Sequence, residues 1–193
     1  LRYPMLLRFQ DIVRHRVAAI NGEFRASMER HTYGGRYRGV FPVKVNQLRE
    51  VVEEIVDAGR PFDFGLEVGS RAELFAALAL LDDPGSLIIC NGYKDEDFIR
   101  GAFMGLRLGK QVVLVIEKLE ELPLILRLAR ESGVEPMVGM RLKLLSRSAG
   151  KWADSGGEDA KFGLTTADLV AAADLLRREG LSRCLRLLHF HIG

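Results

Sequence analysis

The feature that most constrains this chain is a regular switch between two hydrophobic periods. Short runs rich in Val, Ile, Leu and Phe recur at 38–46, 62–67, 86–91, 111–117, 136–143 and 186–191. Such runs suit buried strands. Between them, apolar residues repeat at three and four over 48–59, 70–81, 95–106, 119–132 and 165–179, and a similar pattern at 4–28 precedes the first strand. That spacing marks helices packed on one face. Strict alternation of the two patterns means parallel strands with helices outside, so the fold class is α/β. Six βα units do not close a barrel, which needs eight. The simplest reading is a (β/α)8 barrel cut after about its sixth strand, at Ile192-Gly193, with residues 1–193 forming one partial barrel domain. A complete doubly wound open sheet is the competing architecture.

Local punctuation agrees with this division. Gly59 and Gly133 fall where helices should stop. Ser70-Arg-Ala-Glu73 has the form of a capping box. Residues 146–162 show no period and include Gly150, Gly156 and Gly157. A structureless stretch of that length inside a compact domain is usually a functional loop or lid.

Composition narrows the function. A net charge of +2 is too near neutral to argue for nucleic acid, and the arginines form no stripe with interleaved aromatics. No apolar run reaches the roughly 18–20 residues of a membrane span. Leu1-Arg-Tyr-Pro has no leader pattern, and the absence of an initial Met suggests a fragment. Cys90 and Cys184 stand alone, which points to a reducing, cytoplasmic setting without disulfides.

In a parallel barrel, chemistry gathers at the C-terminal ends of the strands. Reading those ends gives Lys44 with Asn46, then Glu67, Asn91, Glu117, Arg141, and His189 with His191. Lys44 lies in Arg38-Gly-Val-Phe-Pro-Val-Lys-Val-Asn46, a strand-like run in which it shares a face with Val40 and Pro42. An ammonium on such a strand either snorkels to water or is desolvated into an amine able to attack a carbonyl. His189 and His191 share a face by the period of two, but no third metal ligand is evident, so no metal site is assigned.

The wider stretch Tyr33-Gly-Gly-Arg-Tyr-Arg-Gly-Val-Phe-Pro-Val-Lys-Val-Asn-Gln47 resembles the lysine strand of the barrel-type pyridoxal-phosphate (PLP) decarboxylases. These share the alanine racemase/ornithine decarboxylase barrel. Further blocks carry the same resemblance: Phe64-Gly-Leu-Glu-Val-Gly-Ser-Arg-Ala-Glu-Leu74, Ile89-Cys-Asn-Gly-Tyr-Lys-Asp95, Gly150-Lys-Trp-Ala-Asp-Ser-Gly-Gly-Glu158 with Lys161-Phe-Gly163, and His189-Phe-His-Ile-Gly193. The Ile89–Asp95 block and the Gly150–Glu158 block with Lys161-Phe-Gly163 are similar to the arginine decarboxylases in particular.

The resemblance implies that Lys44 holds PLP as a Schiff base and that His191 stacks on its pyridine ring. It places Arg141 near the cofactor's oxygens, Glu67 near the lysine, and Glu73 near the cofactor, although capping would explain Glu73 equally well. It implies decarboxylation of L-arginine to agmatine, a step toward polyamines such as spermidine, with magnesium admitted by family only. Asp154, Glu158 and Asp159 on the lid-like stretch are shaped to meet a guanidinium, or else form a solvated acidic loop. The remaining strands, a C-terminal β-domain and dimer-based assembly would lie beyond this chain, leaving these 193 residues inactive alone. Two alternatives stay open: a barrel decarboxylase for ornithine, lysine or diaminopimelate, and a non-catalytic regulatory relative.

Overall fold

A computed structural model describes residues 4–144 and 163–192. Helix α1 (Gln10–Arg30) precedes strand β1 (Val40–Pro42). There follow α2 (Arg49–Gly59), β2 (Gly65–Val68), α3 (Arg71–Leu80), β3 (Leu87–Cys90), α4 (Glu96–Arg107), β4 (Gln111–Ile116), α5 (Glu121–Ser132), β5 (Met137–Arg141), α6 (Thr166–Arg178) and β6 (Leu185–His189). Every neighbouring pair of strands is parallel. The strands lie side by side in chain order, from β1 to β6.

That order decides between the two architectures. A doubly wound sheet reverses its winding part-way, which buries the first strand inside the sheet. Here β1 and β6 are the two edges. A parallel sheet wound in one direction is barrel wall.

The period of two along each strand feeds two cores. Leu66, Ile88, Leu114 and Val138 pack with Leu74 and Phe98 of the helices, all essentially without exposure. Burying each such side chain contributes about 1.5–3 kcal/mol. The opposite face carries a smaller cluster of Ile89, Val113 and Val115, flanked by Val40, Met137 and Leu187. Gly65 also lies at this sheet crossing. A Cβ there would sit 2.3 Å from the Leu87 carbonyl oxygen, so β2 and β3 approach as closely as they do only with glycine.

A register irregularity sets the aim of the last strand. Val138 pairs with Leu185 and Gly139 with Leu187, so Arg186 is an extra residue in β6. Leu185 packs with the helix-side core, whereas Leu187 joins the small cluster. Two residues of equal parity thus face opposite ways, which is what a bulge does. Without it, His189 would turn toward the helix side.

Several boundaries differ from the sequence reading. The first strand ends at Pro42, and Val43–Val45 form one turn of 3-10 helix, closed by Asn46 N–H donating to Val43 O at 3.1 Å. Proline has no N–H to extend a ladder. Phe62 lies in a 3-10 turn with Pro61 rather than in β2. The sixth strand stops at His189, so His191 lies past its end. Helix α1 begins at Gln10, not near residue 4, and buries only Val17 and Asn21. Its Phe9, Ile12, Ile20 and Phe24 are exposed, because α1 packs chiefly against α2. Among the described residues no helix is long and apolar enough to cross a membrane.

Candidate active site

One step beyond the small cluster, the strands change from apolar to polar. Gly65, Ile89, Val115, Gly139 and Leu187 are each followed two residues later, on the same face, by Glu67, Asn91, Glu117, Arg141 and His189. These residues line the C-terminal rim, with Lys44 two residues after Pro42 of β1.

At one end of the rim, Lys44 Nζ lies 3.6 Å from Glu67 Oε1. The same oxygen accepts a hydrogen bond from Asn91 Nδ2 at 3.0 Å. Glu67 and Asn91 are buried, and Asn91 Oδ1 is buried without a protein partner. The Lys44 side chain is 63% exposed. Of the two positions the sequence leaves open for Lys44, snorkelling to water or desolvated, the chain shows the open one. The 3-10 turn carries Lys44 past the end of β1.

Toward the other end, Arg141 donates to the Glu117 carboxylate in an ion pair that is largely buried on both sides. Arg141 is thus held in a salt bridge at the rim. His189 Nδ1 is buried without a partner. Burial, and then the positive charge of Arg141, push the His189 imidazole below its ordinary range, with Glu117 opposing and His191 and Lys44 adding to the depression. His189 is thus held toward its neutral form. Lys44, Arg141, Glu117 and His191 all act on this one ring, so they form one electrostatic neighbourhood, although His191 itself is exposed.

Glu73 sits in a different place from the one a capping box implies. Ser70 Oγ does accept from Glu73 N–H at 3.3 Å, capping α3. The Glu73 carboxylate instead accepts from Gly69 N–H at 2.7 Å and from Gln47 Nε2 at 2.9 Å. It ties the segment that follows Lys44 to the β2–α3 turn. Asp154, Glu158 and Asp159, with the lid-like stretch 146–162, fall outside the described residues.

Lys94 and its partner Glu121 escape the sequence reading. Lys94 is completely buried, with Nζ 3.4 Å from Glu121 Oε1 and 2.6 Å from the Gly92 carbonyl oxygen. Its burial depends on a carboxylate 27 residues away, which no local pattern announces.

Residues 17–193 match the model of the pyridoxal-dependent decarboxylase family, pyridoxal binding domain. The chain belongs to this family. It is 51% identical over 193 residues to a protein named biosynthetic arginine decarboxylase from Synechococcus sp. (strain RCC307), covering all of this chain and 30% of that protein. The crystal structure of the biosynthetic arginine decarboxylase from Campylobacter jejuni superposes with a TM-score of 0.85 at 34% identity, over 96% of this chain and 30% of the other. The diaminopimelate decarboxylase of Helicobacter pylori shares the fold, with a TM-score of 0.70 at 19% identity over 100% of this chain and 45% of that one. The chain thus spans about 30% of the length of the curated arginine decarboxylases it matches. The six-stranded wall is a partial barrel of this family's kind.

Proposed function

We propose that this chain is the lysine-bearing wall of a PLP-dependent arginine decarboxylase, which releases the α-carboxylate of L-arginine as carbon dioxide and leaves agmatine. The observation that carries the reading is the rim pair Lys44–Glu67, with Glu67 fixed by Asn91. Identity of 51% along the whole chain to a protein of that name supports the substrate.

The residues present fit the cofactor. The rim offers a primary amine, an arginine, and two buried polar atoms without protein partners, Asn91 Oδ1 and His189 Nδ1. Lys44 would hold PLP through its amine and His191 by stacking on the ring, with Arg141 and Glu67 beside it. Glu73 supports the turn that carries Lys44 rather than touching the group. When bound, PLP draws off the electron pair left by the departing carboxylate. The chain's own part is placement and proton handling. Glu67 keeps the Lys44 amine at the rim, and the amine holds or delivers a proton there. Neutral His189 adds no further positive charge beside Arg141.

The same proposal extends to what lies beyond the described residues. Asp154, Glu158 and Asp159 meet the substrate guanidinium. The closing strands, a β-domain and a dimer-based assembly complete the site, so the isolated chain is inactive. The product feeds polyamine synthesis in the cytoplasm, a setting that two free, buried cysteines suit. Magnesium finds no fit here: among the described residues no three His, Cys, Asp or Glu gather to hold a metal ion.

The test is carbon dioxide release by the full-length protein carrying this chain, offered arginine, ornithine, lysine and diaminopimelate. Release from arginine alone is expected. Release from another of the four would reassign the substrate, and release from none would make the protein a regulatory relative.

A further inference from the structure

We infer that the buried Lys94–Glu121 pair is a positioning device that holds the Glu117–Arg141 clamp at the rim. Lysine is almost never fully buried unless paired, and desolvating the pair costs several kcal/mol per ion before their attraction offsets it. Apolar side chains would hold a loop as well. The charges therefore call for a task that an apolar pair would not perform.

The geometry supplies one. Glu121 is the first residue of α5, and its Oε2 accepts from Glu117 N–H at 2.8 Å and from Lys118 N–H at 3.4 Å. Lys94 Nζ lies 3.4 and 3.5 Å from the two Glu121 oxygens, orienting that carboxylate. Glu117, anchored at its backbone, then presents its own carboxylate to Arg141. The chain of contacts runs from Lys94 to Glu121, through one peptide group, to the clamp.

The β3–α4 loop that carries Lys94 is tied in the opposite direction. Gly92 has φ +76°, and a Cβ there would lie 2.6 Å from the Gly69 carbonyl oxygen. Only glycine lets this loop rest on the Gly69 backbone. Gly69 N–H is held by Glu73, which also holds Gln47, three residues after Lys44. Lys94 thus sits midway in one tie from the Lys44 turn to Arg141. What the clamp serves rests on the decarboxylase reading; that Lys94 and Glu121 hold it does not.

Two double variants of the full-length protein test this. Lys94→Met/Glu121→Gln removes both charges but keeps an oxygen for Glu117 N–H. Lys94→Met/Glu121→Leu removes the oxygen as well. Neither leaves a lone buried charge, so both should fold. Hydrogen–deuterium exchange is followed in the peptide containing the Glu117 and Lys118 amides, alongside kcat and KM for arginine. The Leu variant should exchange there at least about tenfold faster and lose about tenfold in kcat, with little change in KM, while the Gln variant, which keeps the acceptor but has lost the lysine that orients it, should fall between the Leu variant and wild type in both. Adding Glu117→Gln to the Leu variant should then cost less than it costs alone, because the losses share one path. Wild-type exchange and kcat in the Gln variant, wild-type exchange in the Leu variant, or fold-losses that multiply, would overturn the inference. If wild type turns over no arginine yet the exchange contrast holds, the substrate reading fails and this one stands. A protein in which neither variant folds would also overturn it, because the pair would then be holding the domain and not the clamp.

Discussion

The amine of Lys44 and the carboxylate of Glu67 meet 3.6 Å apart across the β1–β2 edge, one side chain 63% exposed and the other 8%. The asymmetry has a source. Glu67 lies on β2 with its oxygen fixed by Asn91, whereas Lys44 rides a 3-10 turn past the end of β1. A fixed acid beside an adjustable amine suits the role proposed for Lys44.

Replacing Glu67 tests that division of labour. Glu67→Gln keeps the volume and one acceptor for Asn91 but removes the charge next to Lys44. In the full-length protein, kcat for arginine should fall about 10- to 100-fold, with the melting temperature changing far less because Gln keeps the volume and the Asn91 contact. Unchanged kcat would leave Glu67 a structural partner of Asn91 alone.

His189 gives a pH-dependent signature. Its ordinary value is 6.5, and burial beside Arg141 lowers it in the folded chain. The unfolded chain therefore takes up a proton first as pH falls, and below about 6.5 it binds more protons than the folded one. Stability from this source is complete above 6.5 and declines as pH drops toward the folded value. Denaturation of the full-length protein between pH 8 and 5 should show a smaller acid loss in His189→Gln than in wild type. Parallel curves would mean that the ring is not held neutral.

The two cysteines should behave as core, not as chemistry. Cys90 is fully buried between β3 and the helices, and burial pushes its thiol up to about 12. Cys184 is buried as well and shifted the same way. Thiolate is the reactive form, so a disulfide reagent at pH 8 should leave Cys90 unmodified in native protein and label it in denaturant. Rapid labelling of Cys90 in native protein would show that the β3 face opens readily.

Much of this was legible in the sequence because it is local. The alternation of periods gave parallel strands, and the polar residues ending apolar runs marked Glu67, Asn91, Glu117, Arg141 and His189 as one rim. What was hidden depends on partners distant in sequence or on backbone detail. Pro42 shortens β1 and moves Lys44 off the strand, although the run of valines reads as continuous. The bulge at Arg186 reverses the parity of β6, so counting by twos within 186–191 cannot tell inward from outward. Glu73 fits a capping box by spacing, yet spends its carboxylate on Gly69 and Gln47. Lys94 looks like any loop lysine until Glu121 is brought against it.

The central claim is that Lys44 is the amine that binds the cofactor. It is tested most directly by the visible absorbance of the full-length protein with PLP. Wild type should show the band near about 420 nm that PLP gives when joined to a lysine, and Lys44→Ala should lose it while keeping its fold. A band of full intensity in Lys44→Ala would contradict the claim and leave the rim a set of salt bridges on a barrel wall.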